Sequence, residues 1–323
     1  MWVLEVGRLN FGKAGVINYA SRLVNYIIFT SISGLGFGLA AWLVLGFVDL
    51  TNPEHLLVVG VATMALIVAG LLSSTFHLGH PERAWRALTQ WRSSWLSREG
   101  VLAVLALIAM AVWGLYYIRH GTPPFWASGL IAVLLALTVY ATSMIYASLH
   151  TVARWHHPFT PVCYLMFAAS SGLMAVLSVL AVLGQKIGAP LLLATILMVA
   201  SAWGVKIIWW QLAGAAGSGS SLATATGLGD LGPVRSIMPP HTSENYLQHE
   251  MGFVVARKHA AQLRAIALLI GGVLPMAALF LLAAAPLVLT MALAAHMAGI
   301  FIERWLFFAE AKHSVTIYYG DAH

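Results

Sequence analysis

An all-α, polytopic membrane protein with eight transmembrane helices is the fold this sequence predicts, and three observations predict it. The 323 residues are 60% hydrophobic and only 9% charged, with a mean hydropathy of +0.84, a balance that soluble domains do not reach. Apolar runs long enough to cross the hydrocarbon core as helices, about 18 residues or more, recur from end to end. Proline and aromatic residues gather where those runs stop, as expected at a membrane interface.

The runs fall at roughly 26–48, 56–76, 100–118, 125–148, 160–183, 189–210, 264–284 and 287–309. Arg8 and Lys13 precede the first, which is too long for the core of a cleavable signal and lacks an Ala-x-Ala-like end, so it reads as a retained span. Ser31, Gly34 and Gly38 give that span a small-residue face for close helix packing. Asn52-Pro53 opens the second run. Pro123-Pro124, Pro158, Pro161, Pro190 and Pro286 mark later boundaries. A polar insertion, about 213–262, separates the sixth and seventh runs within a single domain covering 1–323. Its first half is rich in glycine and serine and reads as irregular. Its second half, HTSENYLQHEMGFVVARKHAAQLR, reads as a capped helix with Leu247, Met251, Val254 and Val255 on one stripe, suited to the membrane surface or to a partner.

Eight spans place both termini on one side, and the basic residues choose it. Thirteen Lys and Arg, among them Arg83, Arg86, Arg92, Arg98, Arg154, Arg257 and Arg264, fall on that side, against Arg119 and Lys186 on the other. Lys206 and Arg304 are read as lying near helix ends on the rich side. The termini are therefore expected in the cytoplasm, with the chain in the inner membrane. The net charge of +6 follows from this asymmetry and does not call for nucleic acid. The single cysteine, Cys163, excludes both a disulfide framework and an iron–sulfur cluster held by this chain alone.

The first polar stretch dense enough for chemistry is SSTFHLGHPERAWRALTQWRSSWLSREG, Ser73 to Gly100. It puts His77 after the second run and Glu99 before the third, and an ionisable group beside lipid reads as functional by default. An imidazole and a carboxyl there suit hydrogen bonds to the two oxygens of a quinone and the exchange of its protons. The alternative stands beside it: Glu99 caps the third span and pairs with an arginine, while His77 satisfies a carbonyl. Tyr146, His150, Arg154 and Arg304 lie at the same ends of other spans and join His77 and Glu99 as candidate quinone-binding residues. His296, within the eighth span, reads as a packing or hydrogen-bonding residue, because a bis-histidine haem needs two facing imidazoles. His150, His156 and His157 share a loop with Arg154 and prolines, so no metal is assigned to them. A secondary transporter is the reading from another class, but matched inverted repeats or broken helices are not evident.

The run SSTFHLGHPERAWRAL…SSWLSREG resembles the connection between the second and third spans in membrane anchor subunits of the dimethyl sulfoxide reductase family. IYASLHTVARWHHPFTP resembles that family's connection between the fourth and fifth spans, and the region from Arg304 to His313 is similar more weakly. The insertion GSSLATATGLGDLG…PPHTSENYLQHEMGFVVARKHA is similar to the sulfite-oxidising branch. The resemblance implies an eight-helix anchor, usually without haem, for a molybdopterin catalytic subunit and a four-cluster iron–sulfur subunit. It also implies electron exchange with ubiquinone or menaquinone, and it carries the family's quinol-site histidine and glutamate onto His77 and Glu99. The expected activity is passage of electrons from sulfite oxidation to quinone, the alternative being quinol oxidation for a dimethyl sulfoxide or other terminal reductase.

Overall fold

The computed structural model describes residues 13–73, 81–215, 221–235, 237, 254–281 and 285–311. Eight helices in it are long and apolar enough to cross a membrane. They are α1 (Lys13–Val44), α2 (Pro53–Ser73), α3 (Trp95–His120), α4 (Phe125–Ala147), α5 (Phe159–Val182) and α6 (Ala189–Ala215), followed by α7 (Ala260–Leu281) and α8 (Pro286–Ala309). Among the described residues there is no strand. Rows of exposed apolar side chains, such as Leu57, Val58 and Val61 on α2 and Ile108 and Val112 on α3, give the bundle a lipid-facing exterior.

The ends follow local chemistry. α1 closes in a turn through Gly46, whose φ of 85° suits glycine. At the start of α2 the Asn52 side chain accepts the Glu54 N–H at 2.9 Å, with Pro53 at the first helical position, where no N–H is needed. Pro286 plays the same part in α8. The Asp49 and Gln185 segments are joined by Asp49 N–H to Gln185 Oε1 at 3.0 Å and Gln185 Nε2–H to Asp49 O at 2.7 Å. They tie the loop after α1 to the loop after α5.

Several element bounds differ from the sequence expectation, and three differences stand out. α1 begins at Lys13, because a helix need not stop where its apolar run stops. The insertion's first half, expected to be irregular, contains a short helix, Leu222–Thr226, fixed by a reciprocal capping box between Ser221 and Thr224. α3 begins at Trp95, five residues earlier than the apolar run, with Ser94 in the extended conformation before it. Glu99 therefore lies inside the helix rather than at its cap. The Leu247 and Met251 part of the expected amphipathic stripe lies outside the described residues, whereas a short helix, Val254–Lys258, precedes α7.

α1 is the central helix, packed on α2, α4, α5 and α8. Its glycines set the distance. A Cβ on Gly38 would strike the Ala168 carbonyl and meet the Gly172 Cα at 3.3 Å, and one on Gly36 would meet the Ile67 N at 2.9 Å. Close approach of small residues is how helices gain packing energy where lipid removes the hydrophobic drive. Gly271 and Gly299 do the same for α7 and α8. There α7 widens into a π turn, Leu269–Val273. The Gly271 carbonyl in this turn accepts both the Trp203 indole N–H at 2.9 Å and the His296 Nδ1–H at 2.5 Å.

Candidate functional site

Since successive spans alternate in direction, one end of the bundle collects the ends of α2, α4, α6 and α8 and the starts of α3, α5 and α7. Arg86, Arg92, Arg98, Arg154, Arg257 and Arg264 lie at this basic end. Beneath it are two buried polar groups.

The first is Glu99 on α3, 3% exposed. Among the described residues its partner is Thr142 of α4, with Thr142 Oγ1 2.5 Å from Glu99 Oε1. Thr142 Oγ1 is also 3.1 Å from the Thr138 carbonyl one turn back. This contact serves either protonation state of the carboxyl. A carboxylate accepts the threonine hydrogen; a carboxylic acid donates its own, and the threonine hydrogen turns to Thr138.

Among the described residues Glu99 shows neither the cap nor the pairing with Arg98 that the alternative reading would need. Arg98 instead donates from Nε to the Trp91 carbonyl at 2.9 Å and from Nη2 to the Arg92 carbonyl at 2.7 Å, with its guanidinium 4.3 Å from the Trp95 ring centroid. Its side chain ties the first turn of α3 to the exposed segment before it.

The second group was missed as a cluster by the sequence reading, which put Lys206 and Arg304 near helix ends. Lys206 of α6 and Glu303 and Arg304 of α8 are 1%, 0% and 2% exposed. Lys206 Nζ is 2.5 Å from Glu303 Oε1, and Arg304 Nε is 3.1 Å from Glu303 Oε2. The Lys206 ammonium also lies 3.5 Å from the Trp209 ring centroid, and the Arg304 guanidinium 3.7 Å from that of Tyr164. The signal in the sequence was oppositely charged residues inside the sixth and eighth apolar runs, which seldom occur in spans without a role.

Between the two groups is a cavity of about 20 Å³, walled by α1, α4, α5 and α8 and lined in part by Ser31, Thr142, Tyr164 and Arg304.

The remaining candidates separate by position. Tyr146, one turn beyond Thr142 on α4, is buried in an aromatic cluster, with ring centroids 5.5 Å from Trp155, 6.0 Å from Tyr164 and 5.7 Å from Phe307. His150 is exposed, with Nδ1 3.1 Å from the Ser148 carbonyl and its ring 3.9 Å from that of His156. Arg154 is a tie: Nη2 lies 2.7 Å from Glu310 Oε2, while Arg264 Nη2 holds Oε1 of the same carboxylate at 2.5 Å. Burial pulls the Arg154 guanidinium below its ordinary value, and the Glu310 charge opposes that shift. Arg304 lines the same cavity as Thr142, the partner of Glu99. His77 and His313 lie outside the described residues. Thus Glu99, Tyr146 and Arg304 converge on one region of the bundle, and His150 and Arg154 lie apart at its rim.

His296 is fully buried, and both ring nitrogens have partners, Gly271 O at Nδ1 and Ser170 Oγ at Nε2, 3.0 Å away. A ring with its hydrogen on Nδ1 satisfies both contacts, which is the hydrogen-bonding role expected for it. Among the described residues no three His, Cys, Asp or Glu side chains group to hold a metal ion.

An eight-helix bundle with an apolar exterior and ionisable groups buried within it is a polytopic membrane protein in class. The profile of the DMSO reductase anchor subunit (DmsC) matches residues 20–319, and the chain belongs to that family. It is also 29% identical over 321 residues to a sulfite dehydrogenase subunit of Allochromatium vinosum, an alignment covering 91% of this chain and 97% of that one.

Proposed function

We propose that this chain is the quinone-reactive anchor of a cytoplasm-facing sulfite-oxidising molybdoenzyme, and that Glu99 exchanges protons with the quinone. The observation that carries the reading is the Glu99–Thr142 pair: a carboxyl buried inside a spanning helix, held by a hydroxyl that suits both of its protonation states. A buried carboxyl with no cation against it among the described residues contributes little to stability, so a working role is the better account of its placement.

Quinone reduction needs two electrons and two protons. The electrons come from a partner carrying iron–sulfur clusters, fed by a molybdopterin subunit, since this chain has one cysteine, Cys163. Glu99 donates one proton to a quinone oxygen and is left as a carboxylate, which Thr142 then stabilises. His77, four residues beyond the end of α2, donates to the other oxygen. Glu99 and His77 regain their protons from water at the basic end, so with both reactions on one side turnover moves no net charge across the bilayer. The chain carries no haem, and the segment from His241 to Gln262 docks the iron–sulfur partner. The relative's identity as part of a sulfite dehydrogenase supports the choice of sulfite. The family's reductase name supports the reverse direction, quinol oxidation for a reductase, through the same residues.

Glu99→Gln keeps shape and hydrogen bonding but removes the proton. In the assembled complex it should leave sulfite oxidation with an artificial acceptor intact and lower quinone turnover by about 10²–10⁴-fold, the usual worth of a positioned proton donor. Full quinone turnover in both Glu99→Gln and His77→Ala would overturn the assignment.

A further inference from the structure

Three residues that line the 20 Å³ cavity, Ser31, Tyr164 and Arg304, carry buried polar atoms: among the described residues Ser31 Oγ has no hydrogen-bond partner, and the Tyr164 hydroxyl and Arg304 Nη1 have no side chain to bond but each other's. The three residues are 4%, 4% and 2% exposed. An under-bonded buried polar atom is costly, and three of them on residues around one void define a site for a small hydrogen-bonding molecule. The volume accepts about one water and excludes a ring. Thr142, the partner of Glu99, lines the same cavity.

We propose that this cavity is a hydration site in which a water bound by Ser31, Tyr164 and Arg304 links the Thr142–Glu99 pair to the Lys206–Glu303–Arg304 cluster. The proposal rests on the reading of Glu99 as the proton-exchanging group and adds what stabilises that group once its proton has left. The four positions of the water are all used. Arg304 Nη1 and the Tyr164 hydroxyl donate to the two lone pairs of the water, and its two hydrogens go to Ser31 Oγ and Thr142 Oγ1. When Glu99 gives up its proton, Thr142 turns its hydrogen from the Thr138 carbonyl to the carboxylate. The water holds a hydrogen against Thr142 Oγ1, and Arg304 stands behind the water. Two cations and one carboxylate give the cluster a formal charge of +1, opposite to that of the carboxylate. One proton leaves Glu99 and one later returns to it; the water and the cluster gain and lose none. Tyr164, Ser31 and Arg304 are in this account positioning residues. Arg304, through the water, supplies the counter-charge that Arg98, turned to the Trp91 and Arg92 carbonyls, does not.

The test is redox-difference infrared spectroscopy on the intact membrane complex, with Glu99→Gln identifying the Glu99 carboxyl band. In the unmodified complex a water O–H band should shift in water enriched in oxygen-18. Tyr164→Phe and Ser31→Ala should each remove or displace that band, move the Glu99 carboxyl band, and lower quinone turnover by about tenfold, with the artificial-acceptor rate kept. A missing oxygen-18 shift overturns the hydration site. An unmoved Glu99 band in both variants overturns the coupling. Unchanged quinone turnover in Glu99→Gln refutes the role of Glu99 instead, and the oxygen-18 band then still decides whether the water is present. If Tyr164→Phe fails to assemble, Ser31→Ala, a smaller change on a different helix, gives the same readings.

Discussion

Removing the Glu303 carboxylate should damage the protein far more than removing Lys206, although the two form one ion pair. Lys206 Nζ and Arg304 Nε approach opposite oxygens of Glu303 at 2.5 and 3.1 Å, with the three side chains at most 3% exposed. Glu303→Gln leaves two cations side by side in the bundle, a formal +2. Breaking a buried pair by removing one partner costs about 3–5 kcal/mol, because the remaining charge is uncompensated. Lys206→Met leaves the Glu303–Arg304 pair formally neutral and keeps an unbranched stem against Trp209, so its cost should be below about 1.5 kcal/mol. In the double variant only Arg304 remains charged, and the combined loss should fall short of the sum by about 1–3 kcal/mol. Detergent-solubilised complex titrated with dodecyl sulfate, followed by tryptophan fluorescence, measures all three. Equal losses for the two single variants, or strict additivity, would refute the reasoning that Glu303 is the hub.

Three further outcomes follow from the structure. His157 Nδ1 accepts the Phe159 N–H at 3.2 Å at the start of α5, and burial lowers this histidine from its ordinary value of 6.5. For a base depressed in the folded state, the unfolded chain binds the proton first, so stability is full above pH 6.5 and is lost as pH falls below it. The protection of the Phe159 amide against hydrogen exchange, taken relative to its intrinsic rate at each pH, should fall over that window, and His157→Asn, which keeps an acceptor, should abolish that fall. Gly172→Ala should cost about 1–3 kcal/mol in the same titration, since its Cβ would meet backbone atoms of Gly38 and Leu39; an unchanged midpoint would show that α1 and α5 can separate freely. Reporter fusions after His323 should be active only in cytoplasmic form, given the thirteen basic residues expected on that side against two, and periplasmic activity would reverse the topology.

Length and composition were enough to predict the eight spans, because apolar runs of spanning length have few other uses. They did not locate the start of α3. Ser97, Arg98 and Glu99 are polar and fall outside an apolar count, but Ser94 starts the helix ahead of them, so Glu99 is buried rather than terminal. Local sequence did not reveal the partner of Glu99 either: Thr142 is 43 residues away on another helix. Lys206 and Glu303 were visible as charges within apolar runs, yet their pairing depends on how α6 and α8 sit side by side. The π turn at Gly271, which offers its carbonyl to two side chains, has no signature beyond a pair of glycines.

Photolabelling of the intact complex with an azido-quinone, followed by peptide mapping, tests most directly whether quinone meets this chain at Glu99. Label should appear on the first turns of α3, Trp95 to Gly100, and on the end of α4, Thr138 to Tyr146, and unlabelled quinone should compete it away. Competed label confined to α6 and α7, with none on α3 or α4, would contradict the account.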